Sequence, residues 1–309
     1  MASRRRRRDA ARARLALVAA LVSMVATAVP AIGAAAASAD PGPYARLGAW
    51  VSVFDYVPSF LHQPGPPPVV PATVDDLAAL GARTLYLQAA IDDPRAPDLV
   101  VDPGLVSAML RRAHARGLRV VAWYYPQLVD PARDQARLEA LLRFRAAGQR
   151  FDGLALDIES QQVPDVTDRN GRLVALVRHL RSVAGSLPIG AIVYPAALLE
   201  VVNPRLWPAF PYRALASSVD VWLPMTYWSF RAGSYRDAFV YTDDSIRRLR
   251  RDLHDERALV APIGGLADSS TTADYEGFAR AARADRAVGR SVFDVTATST
   301  AAWEYLRRP

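Results

Sequence analysis

Residues 151–160 read FDGLALDIES, a short apolar run that ends in two carboxylates. In an extended strand, successive side chains point to opposite faces. One face of this segment then carries Leu154, Leu156 and Ile158, and the other carries Ala155, Asp157 and Glu159. The pattern predicts a strand that is covered on its apolar face and places two acids at its carboxyl end.

Seven further apolar runs resemble this strand, and longer segments with helical periodicity lie between them. A strand and a helix repeated eight times within about 250 residues are typical of a single (β/α)8 TIM barrel. The alternative is a doubly wound open sheet, which usually has a glycine-rich turn after its first strand, and no such turn follows here. The predicted strands are 47–56, 83–91, 118–126, 151–160, 188–196, 219–228, 258–267 and 290–297.

Residues 1–39 have the composition of an export signal. A basic segment precedes an apolar run, and the run ends in small residues of the A-x-A type before Asp40. We therefore expect a secretory signal peptide that is cleaved after Ala39, a secreted protein, and a barrel domain formed by residues 40–309. The alternative is a retained membrane anchor, although the apolar run is short for a span of about 20 residues.

The overall charge reflects this leader. The chain of 309 residues has a formal net charge of +7, and residues 1–39 hold six of those charges. The remainder is close to neutral, so a nucleic-acid partner is not expected, nor is a membrane after cleavage. The absence of cysteine excludes disulfides and thiolate nucleophiles, and no histidines stand at a metal-ligand spacing. We expect no metal, no cofactor and a monomer.

The two acids belong to the mouth of the predicted barrel. Active sites of this architecture are built at the carboxyl ends of the strands. Two carboxylates held close together are costly to ionise, and this raises the pKa of at least one of them and favours a proton donor near neutral pH. The alternative is a structural pair neutralised by an arginine.

Two segments resemble the family 18 glycoside hydrolases, the chitinase-like enzymes. Asp152-Gly153 followed by Asp157-x-Glu159 resembles that family's D-G-x-D-x-D-x-E signature on the fourth strand, with Ala155 in place of an acid. Met225-Thr226-Tyr227-Trp228 resembles its M-x-Y-D on the sixth strand, with Trp228 in place of the acid. Both segments stand in the family's order along the chain.

The resemblance implies a mechanism. Glu159 would be the general acid and base, Asp157 would orient the N-acetyl group of the substrate, and Tyr227 would donate a hydrogen bond to it. Because that N-acetyl group attacks the anomeric carbon, no enzyme nucleophile is needed. The chain is therefore interpreted as a glycosidase acting on a polysaccharide or glycan. The alternative is a chitinase-like barrel that binds carbohydrate without catalysis, which the two departures favour.

Further residues near the strand ends are candidates for sugar binding. Asp55 is either a second carboxylate for a conventional two-acid mechanism or a turn or helix cap. Aromatic side chains pack on the C–H faces of sugars, while their polar tips bind hydroxyl groups. The remaining candidates for substrate contact are Gln88, Tyr124, Tyr125, Tyr194, Met225, Tyr227 and Trp228.

Overall fold

The computed structural model describes residues 41–308. The predicted signal peptide and its cleavage site lie outside the described residues. Within residues 41–308, no helix is both long and apolar enough to cross a membrane.

Eight parallel strands of the described region close into a barrel, and each pairs with its neighbours in chain order. The last strand returns to the first, with Arg46 opposite Gly289 and Ala49 opposite Val292. The prediction of a single (β/α)8 barrel is confirmed. The strands are β1 (Arg46–Val51), β2 (Thr84–Gln88), β3 (Arg119–Tyr124), β4 (Gly153–Ile158), β5 (Ile189–Val193), β6 (Val221–Thr226), β7 (Ile263–Gly264) and β8 (Gly289–Val292).

Helices surround this barrel and connect its strands. Several begin with a side-chain cap, for example Asp165, whose carboxylate accepts a hydrogen bond from the backbone N–H of Asp168 at 2.7 Å. The helices of the described region are α1 (Val53–Tyr56), α2 (Thr73–Ala79), α3 (Pro103–Ala115), α4 (Pro131–Arg143), α5 (Val166–Ala184), α6 (Tyr212–Leu215), α7 (Ala238–Leu253), α8 (Thr272–Ala284) and α9 (Thr300–Arg307).

The alternation of side chains along β4 follows the predicted pattern. Leu154, Leu156 and Ile158 belong to the large apolar layer between the barrel and its helices. Ala155 belongs to a second, smaller cluster inside the barrel, together with residues such as Trp123. The inward face of β4 is therefore the face that carries the two acids.

Aromatic rings fill the barrel interior below those acids. The rings of Trp50 and Tyr86 stack at 4.1 Å between centroids, and Trp123 meets Trp50 edge-on at 5.9 Å. The indole N–H of Trp50 donates a hydrogen bond of 2.8 Å to Ser291 on β8. This packing gives the site a rigid floor, because interiors at crystal-like density resist displacement.

All eight predicted strands are longer than the observed ones, and two of the differences have a clear local cause. The first ends at Val51, because Ser52 caps the helical turn α1 instead of continuing the strand. The seventh is reduced to Ile263–Gly264, with one isolated bridge between Trp222 and Val260. Pro262 lies between these two pieces and has no N–H to donate, so it interrupts the ladder.

Candidate active site

The two acids of β4 lie in a cavity at the carboxyl mouth of the barrel. Asp157 is the penultimate residue of β4, Glu159 follows the strand directly, and both line a cavity of about 670 Å³. That volume falls within the usual range of small-molecule sites. The other lining residues come from several strand ends and loops: Ser52, Phe54, Asp55, His62, Gln88, Ile91, Trp123, Tyr125, Met225, Tyr227, Leu266, Phe293, Asp294 and Thr296.

The environment of the pair favours its neutral forms. Burial, and then the charge of Glu159, raises the pKa of Asp157, and burial raises the pKa of Glu159. The Oδ1 atom of Asp157 is shielded from solvent and has no hydrogen-bond partner among the described residues. No arginine lines the cavity. The described residues therefore do not form the alternative arrangement, a structural pair of acids neutralised by an arginine. A carboxyl group in such surroundings retains its proton to higher pH and is suited to proton donation.

Asp55 caps a helical turn, as one of its two predicted roles required, and it also lies in the cavity. Its carboxylate accepts hydrogen bonds from the backbone N–H of Ser52 at 2.6 Å and from the Ser52 hydroxyl at 2.9 Å, which caps α1. Burial raises its pKa to about 6, against the opposing effect of the Ser52 hydrogen bonds. A titratable carboxyl group from outside β4 therefore lies in the same cavity as Asp157 and Glu159.

Four more of the predicted substrate-binding residues line the cavity: Gln88, Tyr125, Met225 and Tyr227. Gln88 is held in place because its side-chain oxygen accepts a 3.0 Å hydrogen bond from the backbone N–H of Val53. Tyr194 lies beside the cavity rather than on its lining. Its hydroxyl donates a hydrogen bond of 3.2 Å to the backbone carbonyl of Glu159, so it positions the chain that carries the acid.

Two further predicted substrate-binding residues, Tyr124 and Trp228, lie well outside the cavity, which corrects their predicted position. Tyr124 is fully buried in the outer layer, where its hydroxyl donates a 2.5 Å hydrogen bond to Asp134. Trp228 is also fully buried, and its ring lies 5.4 Å from that of Phe278. For Tyr124 the physical reason is alternation along β3, since it follows the inward-facing Trp123. Trp228 lies beyond the end of β6, in the 3-10 turn Trp228–Phe230, and its ring packs in the outer apolar layer.

Several cavity residues were not among the sequence candidates. Trp123 on β3 lies two residues before Tyr125, so alternation places both side chains on the same face. Applied strictly, this rule would have identified Trp123. Asp294 is the second residue after β8, so the strand-end argument also applies to it. His62 and Phe54, whose rings stack at 5.2 Å, come from the segment between β1 and β2, Phe54 from α1, and had no signal in the sequence. Within residues 41–308, no group of three or more acidic or histidine side chains is arranged to hold a metal ion.

The pKa of Asp157 leads to a prediction about stability. A raised pKa means that the folded state binds more protons than the unfolded chain above the ordinary aspartate value of about 4, so stability falls as the pH rises through that window. An asparagine at this position has the same shape and no charge to desolvate. We expect Asp157→Asn to increase the free energy of unfolding at pH 7 and to lose this advantage near pH 3, as measured by urea denaturation.

A matched variant controls for the loss of one negative charge. Asp98 is exposed and its carboxylate makes no hydrogen bond with the described residues. Asp98→Asn should leave the unfolding free energy at pH 7 almost unchanged. Equal stabilities of the wild type and Asp157→Asn at pH 7 would show that the Asp157 carboxylate is not desolvated as described.

Fold and site together define a class: a (β/α)8 barrel with an acidic cavity at the face where such barrels place their active sites. Within that class, the chain has the fold of chitinases and chitinase-like proteins. It superposes on a class V chitinase from Pseudomonas fluorescens with a TM-score of 0.61 and 12% identity, covering 85% of this chain and 98% of the other.

Two further solved structures extend the comparison. A family 18 chitinase mutant from Cycas revoluta in complex with (GlcNAc)4 has a TM-score of 0.60 and 12% identity, with 85% of this chain and 99% of that one covered. A chitinase-like agglutinin from Robinia pseudoacacia has a TM-score of 0.57 and 15% identity, with 84% and 98% covered. No protein-family model and no curated protein sequence matches the chain. The likeness is therefore one of fold.

Proposed function

We propose that the protein is a glycoside hydrolase acting on a polysaccharide or glycan, with Glu159 as its general acid and base. One observation carries the proposal. Asp157 and Glu159 have the same parity along the chain and line one cavity at the barrel mouth, where the pKa of each is raised. A carboxylic acid that stays protonated near neutral pH is what cleavage of a glycosidic bond requires.

The proposed reaction begins with a proton transfer from Glu159 to the glycosidic oxygen. The bond between that oxygen and the anomeric carbon breaks, and the carbonyl oxygen of the substrate's own N-acetyl group forms a bond to the same carbon. Water then attacks the anomeric carbon, the bond between that carbon and the N-acetyl oxygen breaks, and Glu159 takes up the proton that the water loses. The enzyme supplies no nucleophile in this scheme.

Asp157 and Tyr227 have supporting roles in this scheme. Burial, and then the charges of Asp157 and Glu159, raises the pKa of Tyr227, so its phenol remains a hydrogen-bond donor at any physiological pH. Tyr227 would donate to the N-acetyl oxygen, and Asp157 would accept from the N-acetyl N–H. The unpartnered Oδ1 of Asp157 leaves an acceptor free for this contact.

Asp55 offers a conventional two-acid mechanism for substrates that lack an N-acetyl group. It lines the same cavity as Glu159, and its pKa of about 6 leaves it mostly ionised at pH 7. In that mechanism an ionised carboxylate acts as a nucleophile or activates water while the other carboxyl group donates a proton.

A second candidate function is sugar binding without turnover. Two observations favour it: Ala155 is buried in the apolar barrel interior where the family signature has an acid, and Trp228 is buried where the second motif has one. The aromatic walls of the cavity, including Trp123 and Phe293, suit the C–H faces of a sugar in either case.

A reducing-sugar assay against a panel of polysaccharides, with and without N-acetyl groups, separates the two functions. Release of reducing ends supports the hydrolase. Retention on a polysaccharide column without release between pH 4 and pH 8 supports the binding protein. Release only from N-acetylated polymers supports the mechanism without an enzyme nucleophile, and release from polymers lacking the group supports Asp55.

We also propose that the chain is exported, because a basic segment, an apolar run and ASA precede Asp40. The expected mature protein begins at Asp40. Expression in a bacterial host followed by mass spectrometry of the culture supernatant measures this directly. Recovery of the chain only in the membrane fraction, with residues 1–39 still attached, would contradict the cleavage.

A further inference from the structure

A second cavity lies at the opposite, amino-terminal face of the barrel. It has a volume of about 590 Å³ and lies between the first residues of β8 and β1 and the residue that precedes β2. No aspartate or glutamate is among its lining residues. Five of them are arginines: Arg46, Arg83, Arg283, Arg290 and Arg307.

These five arginines lie together around one cavity whose lining holds no acidic residue, unlike the ion-paired clusters elsewhere on the surface. Elsewhere in the chain, Arg112 and Arg116 both form ion pairs with Asp75. None of the five cavity arginines has a carboxylate within 4.0 Å among the described residues. Three of them, Arg46, Arg283 and Arg307, also make no side-chain hydrogen bond within residues 41–308, so their guanidinium donors are available to a ligand.

The other two arginines define the wall of the cavity. Arg290 donates a 2.8 Å hydrogen bond from Nε to the carbonyl of Leu306 and a second to the carbonyl of Arg308. Arg83 donates from one terminal nitrogen to the carbonyl of Ala82 at 2.9 Å. Arg290 is half-buried, and burial followed by the charge of Arg283 lowers its pKa. The cavity therefore holds like charges together at an electrostatic cost.

Helix dipoles do not account for the charge. The carboxyl-terminal ends of α2, α8 and α9 line the cavity, and each contributes about half a negative charge. Three such ends offset roughly one and a half of the five positive charges. An excess of roughly three and a half positive charges remains at this cavity, although residues 40–309 as a whole are nearly neutral.

We propose that this cavity binds a phosphate-bearing ligand with two or more negative charges, independently of the glycan site. Guanidinium groups recognise phosphate through paired N–H donors, and a single carboxylate would not offset the excess charge. The volume admits a phosphorylated small molecule or one segment of a phosphate-containing polymer. Both share the same chemistry at the arginines.

The test is calorimetric titration of the folded protein at constant ionic strength with two probes, pyrophosphate and a long polyphosphate chain. A triple variant, Arg83→Gln, Arg283→Gln and Arg307→Gln, removes three cavity charges while retaining Arg290 and its carbonyl contacts. We expect saturable binding by the wild type and a dissociation constant at least about tenfold weaker in the triple variant. Binding of polyphosphate alone would identify a polymer as the ligand.

A second triple variant controls for net charge. Arg111, Arg178 and Arg205 are exposed, lie outside the cavity lining and have no acidic partner within the described residues. Their replacement by glutamine should leave binding as in the wild type. Equal weakening in both triple variants, or no saturable binding of either probe by the wild type at millimolar concentration, would overturn the proposal. Thermal unfolding of both variants verifies that each is folded.

Discussion

Glu159→Gln is expected to reduce turnover by about 10²–10⁴-fold while sugar binding is largely retained. Glutamine has the size and hydrogen-bonding reach of glutamate but has no proton to transfer to the glycosidic oxygen. The loss should therefore appear in kcat, with little change in KM or in the dissociation constant of an oligosaccharide. Reducing-sugar release and calorimetric titration of the same preparation measure the two quantities.

Glu304→Gln provides the matched control. Glu304 is exposed on α9 and is not among the cavity residues. The same chemical change there should leave both kcat and binding at the wild-type level. Asp157→Asn should cost less turnover than Glu159→Gln, because Asp157 orients the substrate and does not donate the proton. Unchanged turnover in Glu159→Gln would show that Glu159 is not the general acid, and Asp55 would be the next candidate for that role.

Trp228→Ala is expected to destabilise the fold by about 3–5 kcal/mol, the usual cost of deleting a buried tryptophan side chain. Trp228 is fully buried, and it packs against Phe278 and beneath Gly264, where an added Cβ would lie 2.7 Å from the indole ring. The alanine would leave a void that this close packing cannot refill. Urea denaturation and the thermal midpoint measure the loss.

For the neighbouring residue, Tyr227, we expect the opposite: an effect on sugar binding or turnover and little effect on stability. Tyr227→Phe removes a hydroxyl group from the cavity and should weaken oligosaccharide binding or turnover with little loss of stability. Trp228→Phe should cost less stability than Trp228→Ala, because the indole N–H has no hydrogen-bond partner among the described residues. Loss of sugar binding in Trp228→Ala at an unchanged unfolding midpoint would restore Trp228 as a ligand-contacting residue.

Together the two experiments separate chemistry from packing. An acid/base residue changes the rate and leaves the fold, whereas a residue of the outer layer changes the fold. Adjacent positions on a barrel strand belong to these two classes in turn, since one side chain faces the cavity and the next faces the helices.

Local patterns in the sequence determined the order of strands and helices and the inward direction of Asp157 and Glu159. These features depend on a repeat of two residues in strands and on helical periodicity between them, and both are properties of neighbouring residues. The same alternation, applied strictly, distinguishes Trp123 from Tyr124 on β3, whereas Trp228 lies beyond β6 in a helical turn. The prediction for Tyr124 and Trp228 was wrong because it rested on their aromatic side chains and not on the direction in which each side chain points.

Only the tertiary structure decided which residues lie together in the cavity at each end of the barrel. The cavity brings together Asp55, Glu159 and Asp294, and the arginine-lined cavity brings together Arg46 and Arg290, which are far apart in the chain. Pairing of β8 with β1 brings together the segments that carry Asp55 and Asp294, and those that carry Arg46 and Arg290. Closure of the whole barrel adds Glu159 from the end of β4. Such contacts depend on closure of the whole sheet, whose shape is set by all eight strands at once, so no local pattern contains them.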